Sequence, residues 1–212
     1  CGLSPFPWGT LAVASYLRAR GIPVELVNAS YSDRKEFEAE FWGLLPRTTL
    51  LGFSCFSTDT AWVLDLLERV KASRPDLPVV LGGPHPTLLP VQTATHPLVD
   101  YVVKGPGERA MEDLAKLTEA GGRPTDGQLN AIPGLFWRDM HGTVRNGPEA
   151  GIPPSYAVDY SLLPPRKRAD LPRYMEILAG RGCSFACAFC YNAVCGHKWS
   201  GKQAEALADE IE

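Results

Sequence analysis

Val79-Val80-Leu81-Gly82-Gly83-Pro84-His85-Pro86-Thr87 joins an unbroken apolar, β-branched run to two glycines and a histidine flanked by prolines. A short apolar run without polar alternation is the pattern of a strand buried on both faces, and Gly and Pro mark the turn that ends it. The same arrangement recurs in Leu50 to Ser54 (LLGFS), followed by Cys55-Phe56-Ser57-Thr58, and in Tyr101 to Lys104 (YVVK), followed by Gly105-Pro106-Gly107-Glu108. Val24 to Asn28 (VELVN) is a further run of this kind. Helical patterns lie between them. Val63, Leu66, Leu67 and Val70 follow i, i+3, i+4, i+7; Thr10 to Arg20 is stopped by Gly21; Glu108 to Leu117 carries Met111, Leu114 and Ala115 on one side. Strands alternating with helices predict an α/β fold, a doubly wound Rossmann-like domain whose ligands bind outside the carboxyl ends of parallel strands.

The unusual residues sit at those ends. Ser54, Cys55, Phe56, Ser57 and Thr58 form one loop, Gly82 to Thr87 a second, and Val103, Lys104, Gly105, Gly107 and Glu108 a third. Each alone reads as a tight turn, but three on one edge point to a large flat ligand approached closely by glycine backbone. His85 reads as a loop-fixing hydrogen-bonder and Cys55 as a small packing residue. The chain opens Cys1-Gly2-Leu3-Ser4-Pro5-Phe6-Pro7-Trp8-Gly9 and enters a helix at once. The expectation is that a first strand precedes residue 1, so that Leu3 to Gly9 face the ligand; Trp8, the largest of them, either lies against that ligand or packs under the first helix.

Lys and Arg number 21 against 24 Asp and Glu, a net charge of −3, with no basic block to attract nucleic acid. No apolar run approaches the roughly 18 residues of a membrane span, and no basic segment leads into an apolar one. Four of the six cysteines fall within the thirteen residues Cys183 to Cys195, the other two being Cys1 and Cys55. Secreted disulfide frameworks spread their cysteines, so this clustering predicts a metal or redox site in the reducing cytoplasm.

From Gly121 to Pro172 the pattern is a loop, a hairpin with Leu135-Phe136-Trp137 and Thr143-Val144 on either side of His141-Gly142, and a proline-marked connector. Met175 to Ala179 (MEILA) then reads as a fresh strand, and Ala204, Leu207, Ala208 and Ile211 as the stripe of a helix. Between them Cys183, Cys187 and Cys190 are spaced C-x3-C-x2-C, three thiols in eight residues. Such a loop suits three irons of a cubane cluster; structural zinc takes four ligands and would recruit Cys195 or His197.

Gly182-Cys183-Ser-Phe-Ala-Cys187-Ala-Phe189-Cys190-Tyr191 resembles the signature of radical S-adenosylmethionine (SAM) enzymes, C-x3-C-x-aromatic-C, with Phe189 as the aromatic. With Gly82 to Thr87 and Val102 to Glu108 upstream, the chain is similar to the B12-dependent radical SAM subfamily over nearly its whole length. The resemblance implies a 4Fe-4S cluster on Cys183, Cys187 and Cys190, with Phe189 and Tyr191 beside SAM, and cobalamin on the strand-end loops. It implies three segments: a cobalamin-binding domain over 1–122, a linker with a hairpin over 123–172, and the start of a partial (βα) barrel over 173–212. The implied enzyme is a methyltransferase acting on an unactivated carbon or phosphinate phosphorus, through a 5'-deoxyadenosyl radical and methylcobalamin. Its implied substrate is a small molecule or peptide, its partner an external electron donor such as a flavodoxin or ferredoxin, with neither nucleic acid nor membrane involved.

Two departures from related patterns matter. The D-x-H-x-x-G of classical cobalamin domains is absent, since Asp139-Met140-His141 continues to Val144 and lies in the hairpin. Pro106 stands where the family usually has an acidic residue, a departure that bears on one corrin-edge contact. Most of the barrel is missing, so the 212 residues read as an interior piece of a longer enzyme. Methylthiotransfer is disfavoured, because residues 1–182 hold only Cys1 and Cys55. The alternatives are a radical SAM cyclase or rearrangement enzyme, and a non-enzymatic zinc or iron-sulfur module.

Overall fold

The computed structural model describes residues 7–28, 34–153, 156–163, 177–191 and 199–211. They divide between two compact units. One is Thr48–Pro153 with Cys183–Lys198; the other is Cys1–Arg47, Pro154–Gly182 and Trp199–Glu212.

The first unit is built on a five-stranded sheet in the order β1-β2-β3-β4-β5. β1 (Leu51–Ser54), β2 (Val79–Gly82) and β3 (Tyr101–Val103) are parallel, with Leu51 opposite Val79 and Val80 opposite Tyr101. The helices expected between them form as α3 (Thr60–Ser73) and α6 (Glu108–Glu119). Two short helices, α4 (Pro84–Leu88) and α5 (Pro90–Ala94), complete the crossover from β2 to β3. Pro84 and Pro90 each occupy the first helical position, where the missing N–H has no partner to lose.

Side-chain alternation along the strands separates two faces. Val79, Leu81 and Val102 pack with Val63 and Leu67 of α3 and Ala94 of α5. Val80, Tyr101 and Val103 pack on the other side with Ala110 and Leu114 of α6. Helices on both faces make the domain doubly wound.

The hairpin forms as β4 (Leu135–Arg138) and β5 (Val144–Asn146), preceded by the short helix α7 (Asp126–Leu129). It is a continuation of the sheet, because β4 pairs antiparallel with β3 through Val102 opposite Phe136. Asp139, at the hairpin turn, accepts hydrogen bonds from the amides of His141 and Thr143, both at 2.9 Å, and from Arg145 Nε at 2.8 Å. The Arg145 bond leads in holding its carboxyl below the usual carboxylate range.

In the second unit, α1 (Trp8–Arg18) buries Leu11 against Val158 and Leu163. The strand expected at Val24 to Asn28 does not form, and Ile22 to Asn28 is irregular. A strand exists only where its N–H and C=O groups find a laddered neighbour, which this segment lacks among the described residues; Leu26 packs instead beside Leu11. A helix absent from the sequence reading, α2 (Arg34–Leu44), stacks Phe37 on Phe41 with centroids 5.6 Å apart. The strand expected at Met175 to Ala179 is displaced. Ile177 to Ala179 is irregular, Met175 and Glu176 lie outside the described residues, and the strand is β6 (Gly180–Gly182). It pairs antiparallel with β7 (Trp199–Gly201), and the expected C-terminal helix follows as α8 (Ala204–Ile211). No described helix is long and apolar enough to cross a membrane.

Gly134 ties the hairpin to the end of β3, its carbonyl accepting from the Lys104 amide at 2.9 Å. Its φ is +74°, and a Cβ there would stand 2.7 Å from the Lys104 carbonyl oxygen. Gly134→Ala should lower unfolding free energy by about 2 kcal/mol, measured by urea denaturation of the chain.

Candidate cofactor-binding rim and cysteine loop

Three parallel strands deliver their carboxyl ends to one edge, and hydrogen bonds join the loops there into a rim. Cys55 N donates to Gly82 O at 3.0 Å and His85 N to Cys55 O at 3.1 Å. Ser57 Oγ and His85 Nδ1 are 3.0 Å apart, so His85 is the loop-fixing group expected. Thr87 continues the chain of contacts, because its buried hydroxyl accepts the Gly105 amide at 3.0 Å. The loops after β1, β2 and β3 are thereby linked in series.

Burial sorts the candidate residues. Ser54, Phe56, Ser57, Thr58 and Gly105 are exposed along the rim, and Gly82 to His85, Lys104 and Gly107 are half-buried. Cys55, Pro86, Thr87, Val103 and Glu108 are buried beneath it. Cys55 is fully enclosed, and burial, assisted by Asp59, pushes its thiol up to about 11. It stays protonated at neutral pH and packs, as the sequence suggested. Asp59 also closes the first loop by accepting the Phe56 amide at 3.3 Å.

The two best-placed glycines serve different ends. Gly83 has φ +93°, and a Cβ on it would lie 2.6 Å from Ser54 Oγ and 2.9 Å from Cys55 N, so its need for glycine comes from the neighbouring loop. Gly105 has φ +82° with nothing within 4 Å of its would-be Cβ. Its open side is the better candidate for close approach by a ligand. The same edge continues onto a face of β1 where Gly52 and Ser54 are exposed.

On the α3 and α5 side of the sheet, a cavity of about 150 Å³ lies over Leu64, Leu81 and Val99, with His85, Gln92 and His96 around it. His96 and Gln92 carry no motif that singles them out in the sequence.

Cys183, Cys187 and Cys190 are free thiols, the first and last half-buried and the middle one exposed. The Phe185 amide donates to Cys183 Sγ at 3.4 Å, and the Cys190 amide to the Cys187 carbonyl at 2.9 Å, turning the loop. Phe189 is 94% exposed. Among the described residues no three His, Cys, Asp or Glu side chains are gathered into a metal-sized group. The donor set nonetheless fits an iron-sulfur cluster: three reduced sulfurs, one already accepting an amide hydrogen bond. Cys195 and His197 lie outside the described residues. Trp8 opens α1 instead of lying in a loop, and meets Tyr160 edge to face with centroids 6.3 Å apart; Cys1 to Phe6 lie outside the described residues.

The B12 binding domain family matches residues 2–115. An anaerobic magnesium-protoporphyrin IX monomethyl ester cyclase of Rubrivivax gelatinosus is 26% identical over 94% of this chain and 37% of its own length. A 2-(S-pantetheinyl)-carbapenam-3-carboxylate methyltransferase of Streptantibioticus cattleyicolor is 31% identical over 77% of this chain and 25% of its own. This chain thus spans between a quarter and two fifths of those relatives. Among solved structures, the radical SAM methyltransferase TsrM of Kitasatospora setae, determined with tryptophan and a SAM analogue, shares the fold with a TM-score of 0.67 and 22% identity. The likeness covers 97% of this chain and 42% of that one. The cobalamin-dependent SAM radical enzyme OxsB, with aqua-cobalamin and SAM bound, gives 0.69 at 17% identity, over 98% of this chain and 29% of that one.

Two tests address the rim. Thr87→Val keeps the shape but strands the Gly105 amide, and should lower stability by about 1–2 kcal/mol while accelerating hydrogen exchange at residue 105. Because the Cys55 thiol is raised in the folded chain, the stability it contributes is present below pH 9 and lost as pH rises toward 11. Cys55→Ala should flatten that alkaline decline in a pH series of melting curves.

Proposed function

Since the chain belongs to the B12 binding domain family, we propose that its strand-end rim holds cobalamin and that Cys183, Cys187 and Cys190 hold a 4Fe-4S cluster serving SAM. The observation that carries this reading is the presence, in one chain, of a hydrogen-bonded rim at the ends of three parallel strands and a loop of three free thiols. When bound, the cluster and SAM supply a carbon-centred radical, and cobalamin carries the methyl group.

The chain's own residues bind and orient. Gly105 presents open backbone for a macrocycle edge, Ser54, Ser57 and Thr58 offer exposed hydroxyls, and the buried Thr87 with the half-buried His85 hold these loops at fixed spacing. Phe189 and Tyr191 flank the third thiol and are the candidates for contact with SAM.

In this reading 1–122 bind cobalamin, 123–172 connect, and 173–212 begin the radical SAM barrel of a longer enzyme. That enzyme methylates an unactivated carbon of a small molecule or peptide. It takes electrons from a flavodoxin or ferredoxin in the cytoplasm, where free thiols persist. The cyclase among the relatives supports a second reading, radical cyclisation or rearrangement with the same cofactors.

Anaerobic reconstitution with iron and sulfide tests the cluster. Ala substitution of Cys183, Cys187 or Cys190 should each abolish the visible absorbance, whereas Cys195→Ala keeps it. An intact cluster in Cys187→Ala, or stoichiometric zinc in place of iron, would sink the assignment. Gly105→Val should weaken cobalamin retention more than tenfold, about 1.4 kcal/mol. Gly83→Val is the poorer probe, since its side chain would also collide with Ser54 and Cys55 of the neighbouring loop.

A further inference from the structure

Two lines of side chains run from opposite ends of α1 to the two strands that flank the cysteine loop. At the start of α1, Trp8 packs edge-on to Tyr160, whose hydroxyl donates to Glu210 Oε1 at 3.4 Å. Glu210 pairs through its other oxygen with Lys202, both side chains being under 10% exposed. Lys202 directly follows β7, and its amide donates to the Ala179 carbonyl, just before β6, at 2.8 Å. At the far end, the Arg20 guanidinium lies 3.4 Å from the centroid of Tyr16, and Tyr16 meets Tyr156 edge to face at 5.4 Å. Arg181, in the middle of β6, donates to the Tyr156 hydroxyl and lies 5.3 Å from that ring's centroid.

Both tyrosines belong to 156–163, which is itself fastened to α1. The Asp159 amide donates to Ser15 Oγ at 2.8 Å, Asp159 pairs with Arg18 at 3.3 Å, and Val158 and Leu163 pack on Leu11.

The strands at the other end need such support. β6 and β7 pair through only Gly180–Gly201, Arg181–Ser200 and Gly182–Trp199, so glycine fills half of the ladder and every pair lacks at least one side chain or a large apolar partner. An isolated two-stranded ladder is marginal even with good cross-strand pairs. Here the stability must come from outside the ladder, and Tyr156 and Tyr160 are the groups that reach it.

We propose that 156–163 is a strap that sets the spacing of the two stems of the cysteine loop, with Tyr156 and Tyr160 as positioning residues for the iron-sulfur cluster. The proposal rests on the reading of that loop as a cluster site. Tyr160 is suited to the task, because burial and the Glu210 carboxylate push its phenol up to about 12 and keep it a donor. Tyr156 acts on β6 through Arg181, and Tyr160 acts on β7 through Glu210 and Lys202.

Tyr156→Phe and Tyr160→Phe remove one hydroxyl each and keep the ring packing. Hydrogen exchange on the cluster-free chain should accelerate about tenfold at 180–182 in the first variant and at 199–202 in the second, the loss of one hydrogen bond. Exchange at 79–82 should be unchanged. After anaerobic loading to equal iron content, the electron paramagnetic resonance signal of the reduced cluster should broaden in both variants, and Glu210→Gln should reproduce the Tyr160→Phe pattern. Unchanged exchange in both variants overturns the strap. Faster exchange with an unaltered resonance signal overturns the positioning role. A wild-type chain that takes up no iron overturns the reading of the loop, a result separate from the exchange data.

Discussion

At Gly83 the chain turns with φ +93° while passing so close to the end of β1 that an added Cβ would stand 2.6 Å from Ser54 Oγ. Only a residue without a side chain permits both the turn and the approach. Once that approach is made, Cys55 is enclosed, its amide and carbonyl are taken by Gly82 and His85, and the first two loops become one piece. Pro84 then begins a helix at once, which brings Thr87 round to hold Gly105 in the third loop. Loops at strand ends usually have the lowest local stability in a fold, and this series of bonds offsets that weakness where a large ligand would need fixed partners.

Much of this was legible in the sequence, and what was not shares a physical cause. Apolar runs and helical periodicity are local, so β1, β2, β3, α3 and α6 read correctly from residues alone. Pairing is not local. VELVN and MEILA carry strand composition, yet Ile22 to Asn28 and Ile177 to Ala179 are irregular, and the ladder near the second forms on Gly180 to Gly182, which has no β propensity to advertise it. α2 is harder to read because charges surround its apolar residues, of which Phe37 and Phe41 are the buried ones. The glycines of the rim were visible as a group. That Gly83 answers to Ser54 while Gly105 faces open space depends on a contact spanning 29 residues of chain, which no spacing rule contains.

The antiparallel end of the sheet shows a second dependence. β4 covers the outer edge of β3, so on that side the parallel strands do not end in a row of unpaired backbone groups. Gly134 converts that cover into a constraint on the third loop, since its carbonyl receives the Lys104 amide and its own amide reaches Pro148 O at 2.7 Å. The hairpin is therefore part of what shapes the rim, although its sequence reads as a connector.

The rim and the cysteine loop solve opposite problems. A macrocycle of fixed shape is best met by loops already at their final spacing, because any ordering they undergo on binding is subtracted from affinity. On the proposed reading, three thiols instead lose their protons when they close around metal, and holding them together beforehand would force like charges together before the cation arrives. In that loop Cys187 is exposed, and both stems contain glycine. Freedom in the loop is useful only if its two ends do not drift, since closure around metal becomes more unfavourable as the ends gain room to move. In the proposed strap, the attachment of β6 and β7 to α1, through a buried ion pair on one side and a line of edge-to-face rings and guanidinium groups on the other, meets that requirement.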